Sequence, residues 1–132
     1  MRMVRSILLG AFVAAQLALA QPAAAGDDRW VRVSAADDGT SEHWIDTESI
    51  KYKGDLVSYT ERAKINDDES GWDTVIASSQ INCETSQVHP VQLKITYTSG
   101  KIETVDNPDP KDWNDIQPGS IGSDIRDFVC KR

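Results

Sequence analysis

The sequence contains few residues of the kinds that carry out chemistry. Its 132 residues include two cysteines and two histidines, His43 and His89. Neither histidine has a cysteine or a second histidine at the spacing of zinc ligands. No glycine-rich phosphate loop, G-x-S-x-G turn or HExxH motif occurs. We therefore expect surface or packing roles for both histidines, and we predict no catalytic residue, no metal ligand and no cofactor.

The sequence also lacks an excess of positive charge. It has 14 Lys and Arg against 21 Asp and Glu, which gives a formal net charge of −7. Binding to nucleic acid or to anionic lipid head groups rests on cationic contacts. The charge balance therefore argues against both kinds of partner, and we predict no nucleic-acid binding.

A long apolar run occurs once, near the beginning of the chain. Arg2 and Arg5 precede residues 7–20, which are predominantly apolar, and small-x-small sites end at Ala20 and Ala25. This pattern is typical of a secretory signal peptide. We expect cleavage after Ala25, with cleavage after Ala20 or a retained N-terminal anchor as alternatives.

The remainder, residues 26–132, has the length of one domain. No second apolar run is present, and no cysteine directly follows the first one to carry a lipid. We therefore predict no membrane span and no lipid anchor. The expected location is outside the cytoplasm, either periplasmic or secreted.

Alternation of apolar and polar residues with period two predicts a β-sheet. Six strands are expected: 30–33, 43–45, 56–65, 74–83, 91–97 and 101–105. The strands follow one another through short turns with no helix between them. This order favours an antiparallel meander, with one apolar face that needs a cover.

A C-terminal helix is the predicted cover. Its apolar residues recur at the spacing of one helix face: Ile121, Ile125, Phe128 and Val129. Ser120 or Ser123 can provide the N-cap. The predicted fold class is therefore α+β, with a single antiparallel sheet covered by a C-terminal α-helix.

The two cysteines are predicted to form one disulfide. Cys83 falls on the apolar side of its strand, and Cys130 lies at the end of the helix that should cover that side. In an exported domain such a pair persists as a disulfide; two free buried thiols are the alternative. Because Cys130 points about 155° away from the apolar stripe of a regular helix, we expect helical winding to stop near Val129.

The loops are acidic. Asp67, Asp68 and Glu69 lie in one turn, and aspartates recur every three residues at Asp106, Asp109, Asp112 and Asp115. Solvated loops are the simplest interpretation, and weak calcium binding is the alternative. Trp72, in an acidic turn, is the tryptophan that we expect to be most exposed.

Several stretches resemble the surface-adhesin protein E family: "WVRV", "HWIDTESIKYKGDLVSY", "NCE", "YTSGK" and "WNDIQPGSIGSDIRDFVC". The resemblance extends over about residues 30–130. It implies an antiparallel sheet with a C-terminal helix and a disulfide. The family takes its name from an outer-surface adhesin that binds host matrix and serum proteins, so the resemblance implies host matrix or envelope proteins as partners. It assigns no binding residues.

Together these observations predict a small exported bacterial protein with a non-enzymatic, adhesion-type binding role. The ligand and the oligomeric state stay open. The alternative function is that of a calcium-binding or hydrolytic envelope protein that uses the acidic loops.

Overall fold

The computed structural model describes residues 28–131 of the chain. In chain order the elements are β1 (Trp30–Ala35), β2 (Ser41–Asp46), a 3₁₀ turn (Thr47–Ser49), β3 (Lys51–Lys53), β4 (Leu56–Ile65), β5 (Trp72–Asn82), β6 (Gln87–Tyr97), β7 (Ile102–Asp106), β8 (Asn114–Asp115) and α1 (Ile121–Val129). The predicted signal peptide, residues 1–25, lies outside the described residues. Between residues 28 and 131, no helix combines the length and the apolar character needed to cross a bilayer.

The strands form one sheet in the order β1-β2-β4-β5-β6-β7. The pairings from β2 to β7 are antiparallel. The predicted antiparallel sheet and C-terminal helix are therefore confirmed. Strands β2 and β3 lie on the same edge of β4, where β2 pairs with the Glu61–Ile65 half and β3 with the Leu56–Ser58 half.

The prediction of six strands is too low, because the described residues contain eight. The two additional strands are β3, of three residues, and β8, of two. Strands this short do not show an alternating pattern that sequence analysis can recognise. In addition, β8 pairs with the beginning of β6 instead of extending the meander beyond β7.

Strand β6 begins four residues earlier than predicted, so it includes His89. The cause is a β-bulge beside Pro90. Ser79 pairs with Pro90 whereas Ser78 pairs with Gln92, which leaves Val91 as an extra residue. On the other side of β6, the pairing with β7 starts only at Gln92, so the missing N–H of Pro90 interrupts no ladder there.

One face of the sheet carries the helix, and we call it the inner face. Its main core cluster contains sheet residues and the helix residues Ile125 and Val129; the sheet residues are Ile45, Val57, Tyr59 and Ile81. Ile45, Val57 and Val129 are completely buried, and each such side chain stabilises the fold by about 1.5–3 kcal/mol. We call the opposite side of the sheet the outer face.

Side-chain hydrogen bonds position the beginning of α1. Of the two serines predicted as caps, Ser120 is the N-cap, and its Oγ accepts the Ser123 backbone N–H at 3.1 Å. One turn later, the Asp124 carboxylate accepts a 2.7 Å hydrogen bond from the hydroxyl of Ser34 on β1. These contacts fix the helix over the β1 side of the inner face.

A disulfide fixes the other end of α1. Cys83 and Cys130 are bonded, with their Cα atoms 5.8 Å apart. Cys130 is the C-cap residue and Val129 the last residue of the helix, so the predicted end of regular winding is confirmed. The bond closes a loop with a sequence separation of 47 residues, for which the chain-entropy model gives about 4 kcal/mol.

Candidate binding surface

The helix covers only part of the inner face. With nine residues, α1 is about 14 Å long, whereas β5 has 11 residues and extends for about 36 Å. The uncovered part bears a second cluster of buried apolar residues, Ala63, Val75 and Ile95. No helix residue belongs to this cluster in the described part of the chain.

Larger, partly buried side chains surround this second cluster: Ile65, Trp72, Leu93 and Tyr97. We call these seven residues the open half-face. At its edge, Val105 on β7 lies opposite Leu93 and is 44% exposed. The centre of the open half-face is closed by its own side chains, so Val105 provides the exposed apolar contact at its edge.

Polar groups border the open half-face along β7. The Tyr97 hydroxyl donates a 2.5 Å hydrogen bond to the Glu103 carboxylate, and this bond raises the pKa of the Tyr97 phenol. The Lys101 ammonium lies 5.6 Å from the centre of the Tyr97 ring. The border therefore carries both signs of charge and a fixed aromatic ring.

A chain of three polar side chains lies on β2 and β4, beside the open half-face. The Ser41 hydroxyl is 2.8 Å from Nε2 of His43, and Nδ1 of His43 is 2.5 Å from the Glu61 carboxylate. The side chains of His43 and Glu61 are only 12% and 14% exposed. Because a carboxylate can only accept, Nδ1 donates to Glu61, and in the neutral ring Nε2 accepts from Ser41.

Strand register creates this arrangement. Ser41 and His43 are two residues apart on β2, so they share the inner face. Glu61 is on β4 and lies opposite Ile45 of β2. Ile45 is the next inner-face residue after His43 on that strand, so the carboxylate of Glu61 can reach the His43 ring. The order hydroxyl, imidazole, carboxylate is the order found in serine hydrolases.

The profile of one protein family matches this chain. The family is described as surface-adhesin protein E, and the match covers residues 30–131. The chain belongs to the surface-adhesin protein E family. The predicted resemblance is therefore confirmed over nearly all of the described residues.

Protein E of Haemophilus influenzae, in its selenomethionine form, has a similar structure. The similarity covers 77% of this chain and 85% of that chain, with a TM-score of 0.53 and 13% sequence identity. At this identity the similarity establishes the adhesin-E fold and not a shared ligand. No curated protein matches the sequence.

The two histidines of this family member have different surroundings. His89 stacks on Trp113 with ring centres 5.2 Å apart, and its Nδ1 lies 2.8 Å from the Asp112 carbonyl oxygen; these are packing contacts, as predicted. His43 instead belongs to the polar chain with Ser41 and Glu61. Sequence analysis missed that chain because the position of Glu61 opposite β2 follows only from register.

The acidic residues of the calcium-binding alternative do not come together. No group of three or more acidic, histidine or cysteine side chains is arranged to hold a metal ion among residues 28–131. The loop carboxylates accept hydrogen bonds from nearby groups: Asp106 from Gln92, Asp109 from the Lys111 N–H, Asp112 from Asn107 and Asp115 from Gln87. These bonds shape the loop between β7 and β8.

The prediction that Trp72 is the most exposed tryptophan stays a prediction, because Trp30, Trp44, Trp72 and Trp113 are all partly exposed. Trp72 is only partly exposed and packs against the second apolar cluster. It belongs to β5, where it pairs with Tyr97 across the strands. The acidic turn that suggested exposure ends before Trp72, and the strand directs its ring onto the inner face.

Proposed function

We propose that this protein is an exported, non-enzymatic binding protein that contacts a protein partner through the open half-face. Membership of the surface-adhesin protein E family over residues 30–131 carries the proposal. The apolar cluster beside the exposed strand β7 supplies the surface. Host matrix proteins and envelope proteins are the partners that the family suggests.

Export is part of this proposal. Residues 1–25 act as a cleaved signal peptide, and residues 26–132 are the mature domain. The disulfide between Cys83 and Cys130 supports export, because such bonds persist in oxidising compartments. N-terminal sequencing of the mature protein tests this step, with Gly26 expected as the first residue. A protein that retains Met1 and stays in the cytoplasm would contradict it.

Binding can be tested with two variants of one strand. Val105 and Ile102 both lie on β7 and are 44% and 57% exposed, but Val105 faces the inner side and Ile102 the outer side. The mature protein is measured by biolayer interferometry against purified matrix proteins and envelope extract. Val105→Lys should weaken saturable binding at least tenfold, because it places a charge at the edge of the open half-face.

Ile102→Lys is the matched control, since it adds the same charge to the same strand on the other face. It should leave the affinity within about twofold, as expected for a surface substitution away from the site. Equal losses in both variants would place binding on the edge of β7 instead of the open half-face. An absence of saturable binding to every partner would overturn the proposed function.

The Ser41–His43–Glu61 chain favours a second candidate, hydrolysis of an acyl ester. In this reaction Ser41 Oγ forms a bond to the acyl carbon while its proton moves to His43 Nε2. His43 then returns the proton to the leaving alcohol, and water releases the acid with His43 as the base. Glu61 holds the ring in orientation.

A fluorophosphonate probe distinguishes this candidate from a purely structural polar chain. The probe should label Ser41, and His43→Gln should reduce the labelling rate by at least a hundredfold, since general-base assistance is typically worth 10²–10⁴-fold. Ser58→Ala on the outer face is the control and should leave labelling unchanged. No labelling of the native protein would remove the hydrolytic candidate.

A further inference from the structure

The outer face carries a pocket that is separate from the open half-face. It has a volume of about 230 Å³ and lies over β4 and β5. Four of its residues form two directly opposed pairs, because Ser58 lies opposite Gln80 and Thr60 opposite Ser78. Ser49, before β3, and Val91, at the bulge of β6, line it as well. We call these six residues the neutral pocket.

The absence of charge is the distinctive property of this pocket. Charged residues make up 27% of the sequence, yet no Asp, Glu, Lys or Arg lines it. A phosphate or carboxylate ligand would find no cation here, and a cationic ligand would find no carboxylate. Because desolvating an unpaired charge is costly, the lining selects an uncharged ligand.

The pocket has unused hydrogen-bonding capacity. Within residues 28–131, the hydroxyl groups of Thr60 and Ser78 have no hydrogen-bond partner, and Gln80 makes one long bond, 3.4 Å, to Ser58. Each hydroxyl can both donate and accept, and the amide of Gln80 offers both functions. The complementary ligand therefore presents several hydroxyl or amide groups at close spacing.

Apolar groups lie beside these polar groups. Val91, pushed out by the bulge, is 39% exposed at one side of the pocket. On the same side, His89 lies opposite Gln80 and stacks on Trp113. His89 itself is only 9% exposed, so the partly exposed indole of Trp113 is the aromatic group that a ligand extending across β6 meets.

On the other side of the pocket, Trp44 on β2 lies opposite Arg62, whose guanidinium group is 5.2 Å from the indole ring. The strands of Trp44 and His89 are three strand spacings apart, about 14 Å. The pocket is therefore placed between Trp44 on one side and the stacked pair of His89 and Trp113 on the other. A molecule with alternating hydroxyl groups and apolar C–H faces fits this surface.

We propose that the neutral pocket binds an uncharged glycan, with one hexose or N-acetylhexosamine unit in the pocket and the adjacent units across the outer face. The hydroxyls of Thr60 and Ser78 and the amide of Gln80 bind the sugar hydroxyls. Val91 contacts an apolar face of the ring. This glycan site is independent of the protein-binding role of the open half-face, because it lies on the opposite side of the sheet.

In the test, the mature, disulfide-bonded protein is titrated with defined oligosaccharides, and binding is monitored by ¹H–¹⁵N NMR. The panel contains tetramers of N-acetylglucosamine, tetramers of glucose and tetramers of galacturonic acid. With a neutral tetramer we expect saturable changes in amide chemical shift, confined to the residues of β4, β5 and β6 around the pocket. The N-acetylglucosamine tetramer represents the amino-sugar polymers of bacterial cell walls and host tissue. The glucose tetramer represents storage or capsular glucans. The tetramer that binds more tightly therefore identifies the source of the glycan.

The double variant Thr60→Val, Ser78→Val removes both free hydroxyls. Valine is β-branched and therefore suits a position in a strand. This variant should bind the neutral tetramer at least tenfold more weakly, as expected for the loss of two hydrogen bonds. The control is Thr96→Val, on the outer face of β6 and outside the pocket. It should leave the affinity unchanged, and thermal unfolding should show that all variants are folded.

Three results would overturn the glycan proposal. The first is no saturable shift with either neutral tetramer at millimolar concentration. The second is tighter binding of the galacturonate tetramer than of the neutral ones. The third is an unchanged affinity in the folded double variant. None of these results bears on binding by the open half-face, whose test uses Val105 and Ile102.

Discussion

The Tyr52 hydroxyl donates a 2.7 Å hydrogen bond to the carbonyl oxygen of Val129, the last residue of the helix. This bond and the disulfide at Cys130 act on neighbouring residues, although they reach the helix from different strands. Tyr52 lies on β3, and Cys83 directly follows β5. The end of the helix is therefore attached to the sheet at two places, one covalent and one not.

Removal of the disulfide should destabilise the domain strongly. We expect the Cys83→Ser, Cys130→Ser double variant to lose about 2–4 kcal/mol of unfolding free energy, because the unfolded chain regains the entropy of an unclosed loop. Urea denaturation followed by tryptophan fluorescence measures the change. The native protein in reducing buffer should show a loss of similar size; an unchanged midpoint in both cases would contradict the prediction.

Loss of the Tyr52 hydroxyl should have a smaller effect. Tyr52→Phe removes the bond to Val129 and leaves the ring, so we expect a loss of about 1 kcal/mol. Tyr97→Phe is the control, because its hydroxyl binds an exposed glutamate and not the helix end. In the disulfide-free protein, Tyr52→Phe should cost a different amount, since both groups hold the same turn. Strict additivity would show that the two attachments are independent.

Ser86 combines backbone strain with a useful hydrogen bond. Its φ of 58° is positive, and its hydroxyl accepts a 2.6 Å bond from the Arg126 guanidinium on α1. Ser86→Ala should destabilise the domain by about 1 kcal/mol, because it loses the bond and keeps the strain. Ser86→Gly loses the same bond but relieves a strain of about 1 kcal/mol, so its unfolding free energy should be close to that of the native protein. Equal losses for both variants would contradict this account.

Two carboxyl groups from different turns, Asp55 before β4 and Glu84 before β6, lie together and make stability depend on pH. The protonated Glu84 carboxyl donates a hydrogen bond to the Asp55 carboxylate, which raises the pKa of Glu84, and the charge of Asp55 raises it further. A pKa raised in the folded state stabilises the fold below the unfolded value, about 4.3 for Glu, and this contribution is lost as the pH rises through the folded value.

Glu84→Gln should therefore have a higher Tm than the native protein at neutral pH, and the difference should vanish below a pH of about 4. Asp55→Asn should behave similarly, and the double variant should gain little beyond either single one, because each removes the same interaction. Differential scanning calorimetry across this pH range provides the measurement. A Tm difference that does not depend on pH would argue against the carboxyl pair.

Local sequence pattern was sufficient to predict the long elements of this fold. Strand β4 occupies residues 56–65 as predicted, because apolar and polar residues alternate along its whole length. The helix and its disulfide followed from one apolar stripe and the position of Cys130. In each case the signal lies within a short stretch of chain.

Features that depend on register could not be predicted in this way. The bulge at Val91 shifts β6 against β5, and Pro90 lies within the strand beside it. The diagonal placement of Glu61 next to His43 and the opposition of Thr60 and Ser78 require the pairing of strands that are separate in sequence. Both candidate sites arise from such pairings, which explains why no motif revealed them.

Because the helix is short, the two ends of the sheet differ in how well their inner face is covered. Near Cys83 and Val129, any change in volume disturbs a closed and covalently fastened core, so few substitutions are tolerated there. Beyond the helix, around Tyr97 and Val105, side chains border solvent and can be exchanged with little cost to folding. Substitutions at the uncovered end can therefore change what the sheet contacts, while the fastened end keeps the domain folded.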